Sequence, residues 1–266
     1  MDKSKIIIVT PIYSTSITVA EAAALRQCRD VLHSYHRCIV KPRSLDVAEL
    51  ARQYAVDSVV PFDDGYFKGI AGYNSLMMSA EFYQAFEAYD YILIYQTDAW
   101  VFSDQLEEWC GRGYDYVGAP WIPKPKYRKA YYRAFYCLKH IYDLAARRPD
   151  YRSLWYKVGN GGLSLRRTSS LIRTAVELRP VVETYLANNG IKYYNEDIFW
   201  SIGANKHGAG LRIPGWREAL QFAFDMHPSL CLELNGGRLP FGCHGWNKFQ
   251  TEMGQFWQHR IDWQQG

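Results

Sequence analysis

Gln96-Thr97-Asp98 follows an unbroken apolar run, Tyr91–Tyr95. Such a run reads as a buried strand. A carboxylate just past its end either caps the turn before Trp100 or holds a divalent cation on a diphosphate. Asn195-Glu196-Asp197 precedes Ile198-Phe199-Trp200. It is either an Asn helix cap with two acids favourable to the helix dipole, or a general base at a helix start facing a cleft. Gly159-Asn160-Gly161-Gly162 is either a tight turn or a place where a substrate approaches bare backbone. The segment 240–246 (PFGCHGW) is too polar and aromatic for a linker, and its His244 is a structural histidine or a metal ligand. Thr10-Pro11-Ile12-Tyr13 closes the first apolar run, 6–9.

The elements that must position these residues alternate in type. Buried strands are expected at 6–9, 38–40, 58–60 and 91–95, with helices over 16–34, 46–54 and 74–88 between them. Beyond these, 114–118 and 163–165 read as strands. Segments 168–186 and 217–224 read as helices, with a further helix starting at Asn195. Segment 235–246 reads as a loop, and 247–263 as an amphipathic tail. This order implies a doubly wound, mostly parallel α/β sheet, which binds ligands beyond the carboxyl ends of its strands. No composition break marks a linker, so 1–266 is expected to form a single domain with an insert at 121–157.

That insert holds ten Lys or Arg against Asp143 and Asp150, in a chain of net charge +4, together with ten aromatic residues. It is either a solvated helical hairpin or a surface for anionic lipid or a lipid-linked diphosphate. The 16% aromatic content of the whole chain suits sugars, bases or a lipid boundary. Neither G-x-G-x-x-G nor G-x-x-x-x-G-K-[ST] occurs, which argues against dinucleotide oxidoreductases and P-loop enzymes. A sugar nucleotidyltransferase is disfavoured because 10–16 lacks Gly and Lys. The six cysteines have no Cys-x-x-Cys spacing, so reduced thiols and a cytoplasmic protein without zinc are expected. No signal peptide, membrane span or nucleic-acid partner is expected.

Taken together, 91–102 (YILIYQTDAWVF), 116–121 (YVGAPW), 159–166 (GNGGLSLR), 195–200 (NEDIFW) and 240–246 (PFGCHGW) resemble a bacterial family of glycosyltransferase-like proteins with the GT-A fold. That family is named mainly as a domain of unknown function. The similarity spans about 91–248, with weaker matches at 6–13 and 73–86. The resemblance implies a GT-A-type, Rossmann-like mixed sheet and transfer of a sugar from a nucleotide-diphosphate donor to a glycan or lipid-linked acceptor. The setting it implies is bacterial surface glycan synthesis, in the cytoplasm or at the inner face of the membrane.

In GT-A enzymes an Asp-x-Asp motif holds manganese or magnesium on the diphosphate. Here Gln96 stands at the first position and Asp98 remains, so a cation would carry fewer protein charges. The resemblance offers His244 as a further ligand and Lys248 as a neighbouring cation. It implies an inverting hexosyltransferase with Asp197 as base and Glu196 as runner-up. Thr10, Pro11, Tyr13, Asn74, Gln96, Asn160, Gly161, Gly162, Trp246 and Lys248 are expected to line the donor and acceptor sites. A non-catalytic carbohydrate-binding protein is the alternative from another class.

Overall fold

A computed structural model of the chain describes residues 2–146 and 151–263. Nine strands are described: β1 (Ile6–Pro11), β2 (His36–Pro42), β3 (Ser58–Phe62), β4 (Tyr91–Tyr95), β5 (Ala99–Val101), β6 (Tyr116–Val117), β7 (Leu163–Arg167), β8 (Ala223–Phe224) and β9 (Gly242–His244). Six of them form a sheet in the order β3-β2-β1-β4-β7-β6. β1 to β4 are parallel, while β7 runs antiparallel to both β4 and β6. The expected mostly parallel, mixed sheet is present.

β1 and β4 are buried along their whole length, as their apolar sequences require. Alternation sends their side chains to opposite faces. Ile6 and Ile8 pack with Ala20, Ala24 and Cys28 of the helix Val19–Val31. Ile7 and Val9 pack with Leu76, Met77 and Phe82 on the other face. The strand order reverses between β1 and β4, so a crevice opens beyond their carboxyl ends. One wall of that crevice is fixed by a capping box. Thr18 Oγ1 accepts from Glu21 N at 3.2 Å, and Glu21 Oε2 accepts from Thr18 N at 2.7 Å. The remaining oxygen of Glu21 accepts from Thr97 Oγ1 at 3.0 Å, tying the Gln96-Thr97-Asp98 turn to this helix.

Several expected elements are divided differently. The helix expected over 74–88 is two, Gly69–Met78 and Ala80–Gln84, broken where the extended Ser79 accepts from Phe82 N. The helix expected over 168–186 breaks at Leu178, and Pro180, which has no N–H, sits in the first turn of its second part, Arg179–Ala187. The helix expected over 217–224 ends at Phe222, and Ala223 and Phe224 form β8. The loop expected over 235–246 contains β9. These two strands join β5 in a second sheet of order β5-β9-β8. Strands of two or three residues show no periodicity of their own; pairing defines them.

The insert contains the helix Ala130–Ala145 between one-turn segments Pro125–Arg128 and Tyr151–Leu154. A bridge between Pro120 and Val158 closes its base. Arg147, Arg148 and Asp150, counted above in its charge, lie outside the described residues. No described helix is long and apolar enough to cross a membrane.

Trp246, expected to touch a ligand, instead lies in the core. It is fully buried, with its ring 4.9 Å from Trp100 and 5.9 Å from Trp263. Trp246→Ala is therefore expected to cost about 3–5 kcal/mol of stability, as for other buried aromatic truncations. Denaturant unfolding checks this. A near-normal midpoint would place Trp246 outside the core.

Candidate active site

The second sheet gathers three side chains from distant parts of the chain. Its register pairs Ala99 with His244 and Phe224 with Cys243. Asp98 immediately precedes β5 and Asp225 immediately follows β8, so both fall beside His244 at the end of β9. Asp98 Oδ1 lies 2.9 Å from His244 Nε2, and Asp225 Oδ1 lies 2.9 Å from His244 Nδ1. Lys248 Nζ closes the cluster at 3.1 Å from Asp98 Oδ2. Gly245 N donates to the Asp98 carbonyl at 2.8 Å and fixes the turn between them.

The electrostatics follow from this packing. Burial alone would lower the pKa of His244, but the two carboxylates outweigh it and raise the pKa to about 9. The imidazole is therefore protonated at neutral pH and donates on both sides. Burial alone would raise Asp98, yet His244 and Lys248 hold it well below the usual carboxylate range.

The glycine turn packs directly on these groups. A Cβ at Gly162 would strike His244 Nε2 and stand 2.8 Å from Gln96 Oε1. One at Gly161 would strike Glu196 Oε1. Asn160 holds the turn in the left-handed region at φ +57°, and its side-chain oxygen accepts from Gly162 N at 2.9 Å. The amide nitrogen is thereby placed 3.2 Å from His244 Nδ1.

On the far side of the glycine turn the two neighbouring acids differ. Arg166, fully buried, places Nη2 3.1 Å from each oxygen of Glu196. Its other nitrogens donate to Tyr83 and Ser164. Glu196 is thus engaged in a buried ion pair. Asp197 is largely buried, has no guanidinium partner of its own among the described residues, and accepts from its neighbour Ile198 N at 2.9 Å. Burial, then the charges of Glu196 and Asp225, push its pKa up to about 7. Asn74 holds this segment: it donates to Asn189 and Asn195 and accepts from Glu196 N.

A cleft of about 520 Å³ opens at the ends of β1 and β4, lined by Pro11, Tyr13, Tyr66, Tyr73, Gln96 and Asp98 among others. Of the residues expected at the site, Pro11, Tyr13, Gln96 and Asp98 line this cleft. His244, Lys248 and Gly162 border it through Asp98 and Gln96, and Asn160 stands one contact further back, against His244. Thr10 is buried within β1, and Asn74 is engaged as described. Asp225, Arg166, Glu21 and Tyr73 escaped the sequence reading. A charged residue inside the strand-like LSLRR was a usable signal for Arg166, because a buried arginine demands a partner.

Among the described residues, no three His, Cys, Asp or Glu side chains form a group that holds a metal. Asp98 Oδ1 and Gln96 Oε1 nevertheless converge on His244 Nε2, at 2.9 and 3.2 Å. Two oxygens and an imidazole nitrogen fit a divalent cation once His244 gives up its proton.

Residues 57–244 match the family described as "Protein of unknown function (DUF5672)". No curated protein matches the chain in sequence. Among solved structures, the chain is similar to mouse xyloside xylosyltransferase 1, with 13% identity, TM-score 0.53, and 90% of this chain and 96% of that one covered. It is also similar to the galactosyltransferase LgtC, solved with donor and acceptor sugar analogs, with 12% identity, TM-score 0.52, and coverage of 90% and 86%. A third likeness is to the glycosyltransferase GlyE of Streptococcus pneumoniae TIGR4, with 11% identity, TM-score 0.52, and coverage of 98% and 61%. The fold is of the GT-A type.

The raised pKa of His244 gives a pH signature. Folding lifts it from about 6.5 to about 9, so its ion pairs stabilise fully below about 6.5 and the contribution is lost as pH rises through about 9. Thermal unfolding temperature is expected to fall across that window and to flatten in His244→Gln. An equal slope in both proteins would contradict the assignment.

Proposed function

We propose that this chain, which belongs to the DUF5672 family of proteins of unknown function, is a glycosyltransferase moving a sugar from a nucleotide-diphosphate donor to a hydroxyl acceptor with inversion. One observation carries the reading. At the ligand end of β4 the ion pairs of Asp98 with His244 and Lys248 pack on one side of the Gly161-Gly162 turn, and Glu196 packs on the other, on the short helix that also carries Asp197, whose pKa is near 7.

In this reading the aromatic walls Tyr13, Tyr66 and Tyr73 pack on the donor's flat groups. Asp98, His244 and the Gln96 amide oxygen would hold a manganese or magnesium ion, which would neutralise charge on the departing diphosphate. Lys248, half exposed beside Asp98, adds a cation at the same place. Asp197 takes the acceptor proton as the new bond to the sugar forms. A pKa near 7 suits a general base, because a substantial fraction is ionised at neutral pH and the carboxylate is still basic. The Arg166–Glu196 pair fixes the short helix that carries Asp197, and the Glu196 charge helps to raise the pKa of Asp197.

A glycan or lipid-linked acceptor, a hexose donor, bacterial surface glycan synthesis and a cytoplasmic setting complete the proposal. Gln96 at the position of a first acid favours one other reading, a carbohydrate-binding protein without turnover. Donor hydrolysis over a panel of nucleotide sugars separates the two.

Asp197→Asn is expected to lower transfer by at least about 100-fold while donor affinity is kept. It should also abolish the rise of kcat/KM through a pKa of about 7 in the parent enzyme. Near-normal turnover would remove Asp197 as the base. Asp98→Ala is expected to abolish manganese-linked donor binding in calorimetry with the fold intact; unchanged affinity in manganese would exclude its role.

A further inference from the structure

The insert helix Ala130–Ala145 has two unlike faces. Tyr132 and Tyr136 lie 5.8 and 5.0 Å from Tyr127, which stacks on Trp155 at 5.1 Å. This side ties the helix to the body of the insert. Tyr131, Phe135, Leu138 and Tyr142 recur at spacings of four, three and four residues, which sets them in one line along the helix. They are 63%, 59%, 70% and 57% exposed, and Ile141 beside them is 60% exposed. A contiguous apolar stripe on an open surface marks an interaction site.

The charge around the stripe selects its partner. Lys124, Lys126, Lys129 and Lys139 are exposed on or beside this helix. The whole 121–157 segment carries ten basic residues against two acidic ones. A second copy of the chain would set two such basic segments face to face. An anionic bilayer instead meets both features, taking the aromatic and aliphatic stripe at its acyl boundary and the lysines at its headgroups. A 16-residue helix is about 24 Å long and can lie flat in that interface.

We propose that the 121–157 insert docks the protein on an anionic lipid surface through the Tyr131, Phe135, Leu138 and Tyr142 stripe. The proposal does not rest on the transferase reading. It would hold the donor cleft near a membrane whatever reaction occurs there.

Co-sedimentation of the full chain with phosphatidylcholine vesicles, with and without phosphatidylglycerol, tests it without any turnover. Binding is expected only with the anionic lipid and should weaken as salt shortens the reach of exposed charges to about 8–10 Å. The double substitution Phe135→Glu with Leu138→Glu is expected to cost more than about tenfold in vesicle affinity. These exposed positions should leave thermal unfolding unchanged. A second variant, Lys124→Glu with Lys126→Glu and Lys129→Glu, should lose the salt-sensitive part. Absence of binding at low salt, or equal binding to neutral vesicles, would overturn the proposal. So would a wild-type dimer in analytical ultracentrifugation that the stripe variant makes monomeric, because a second copy would then cover the face.

Discussion

A protonated imidazole held between two carboxylates is the contact on which the site depends. His244 sits 2.9 Å from both Asp98 and Asp225, and none of the three is adjacent to another in sequence. The short β5-β9-β8 sheet supplies the register that brings them together. Charges taken out of water are tolerated only when paired, so the cluster and the sheet ends that carry it stabilise one another. The Asp98 turn is held from the other direction by the Thr97–Glu21 hydrogen bond.

A second buried ion pair, Arg166–Glu196, stands across the glycine turn and distributes the roles of two adjacent acids. Glu196 is neutralised by a guanidinium; its neighbour Asp197 is not, and it feels the residual negative charge. Neighbouring carboxylates thus acquire different chemistry from their surroundings alone. The missing side chains at Gly161 and Gly162 allow the two ion-pair systems to approach the same stretch of backbone.

Much of this was legible in the residues. The apolar runs 6–9 and 91–95 place two strands and the crevice beyond them, because a strand buried on both faces must be apolar throughout. The polar motifs at 96–98, 159–162 and 195–197 mark its rim. What stayed hidden depended on tertiary partners. β8 and β9 are too short to carry a period, so Asp225 looked like the residue after a helix. Which of Glu196 and Asp197 is paired depends on an arginine 30 residues away. Trp246 resembles a binding residue in sequence, and its burial arises from Trp100 and Trp263, which pack against it from distant segments.

In the proposed function the cleft beside Asp98 receives a nucleotide sugar. A thermal-shift screen of nucleotide sugars, each with and without manganese, tests it most directly, since a ligand that binds only the folded state raises the unfolding temperature. One donor class is expected to stabilise the protein, and manganese to increase the shift. No stabilisation by any nucleotide sugar under either condition would contradict it.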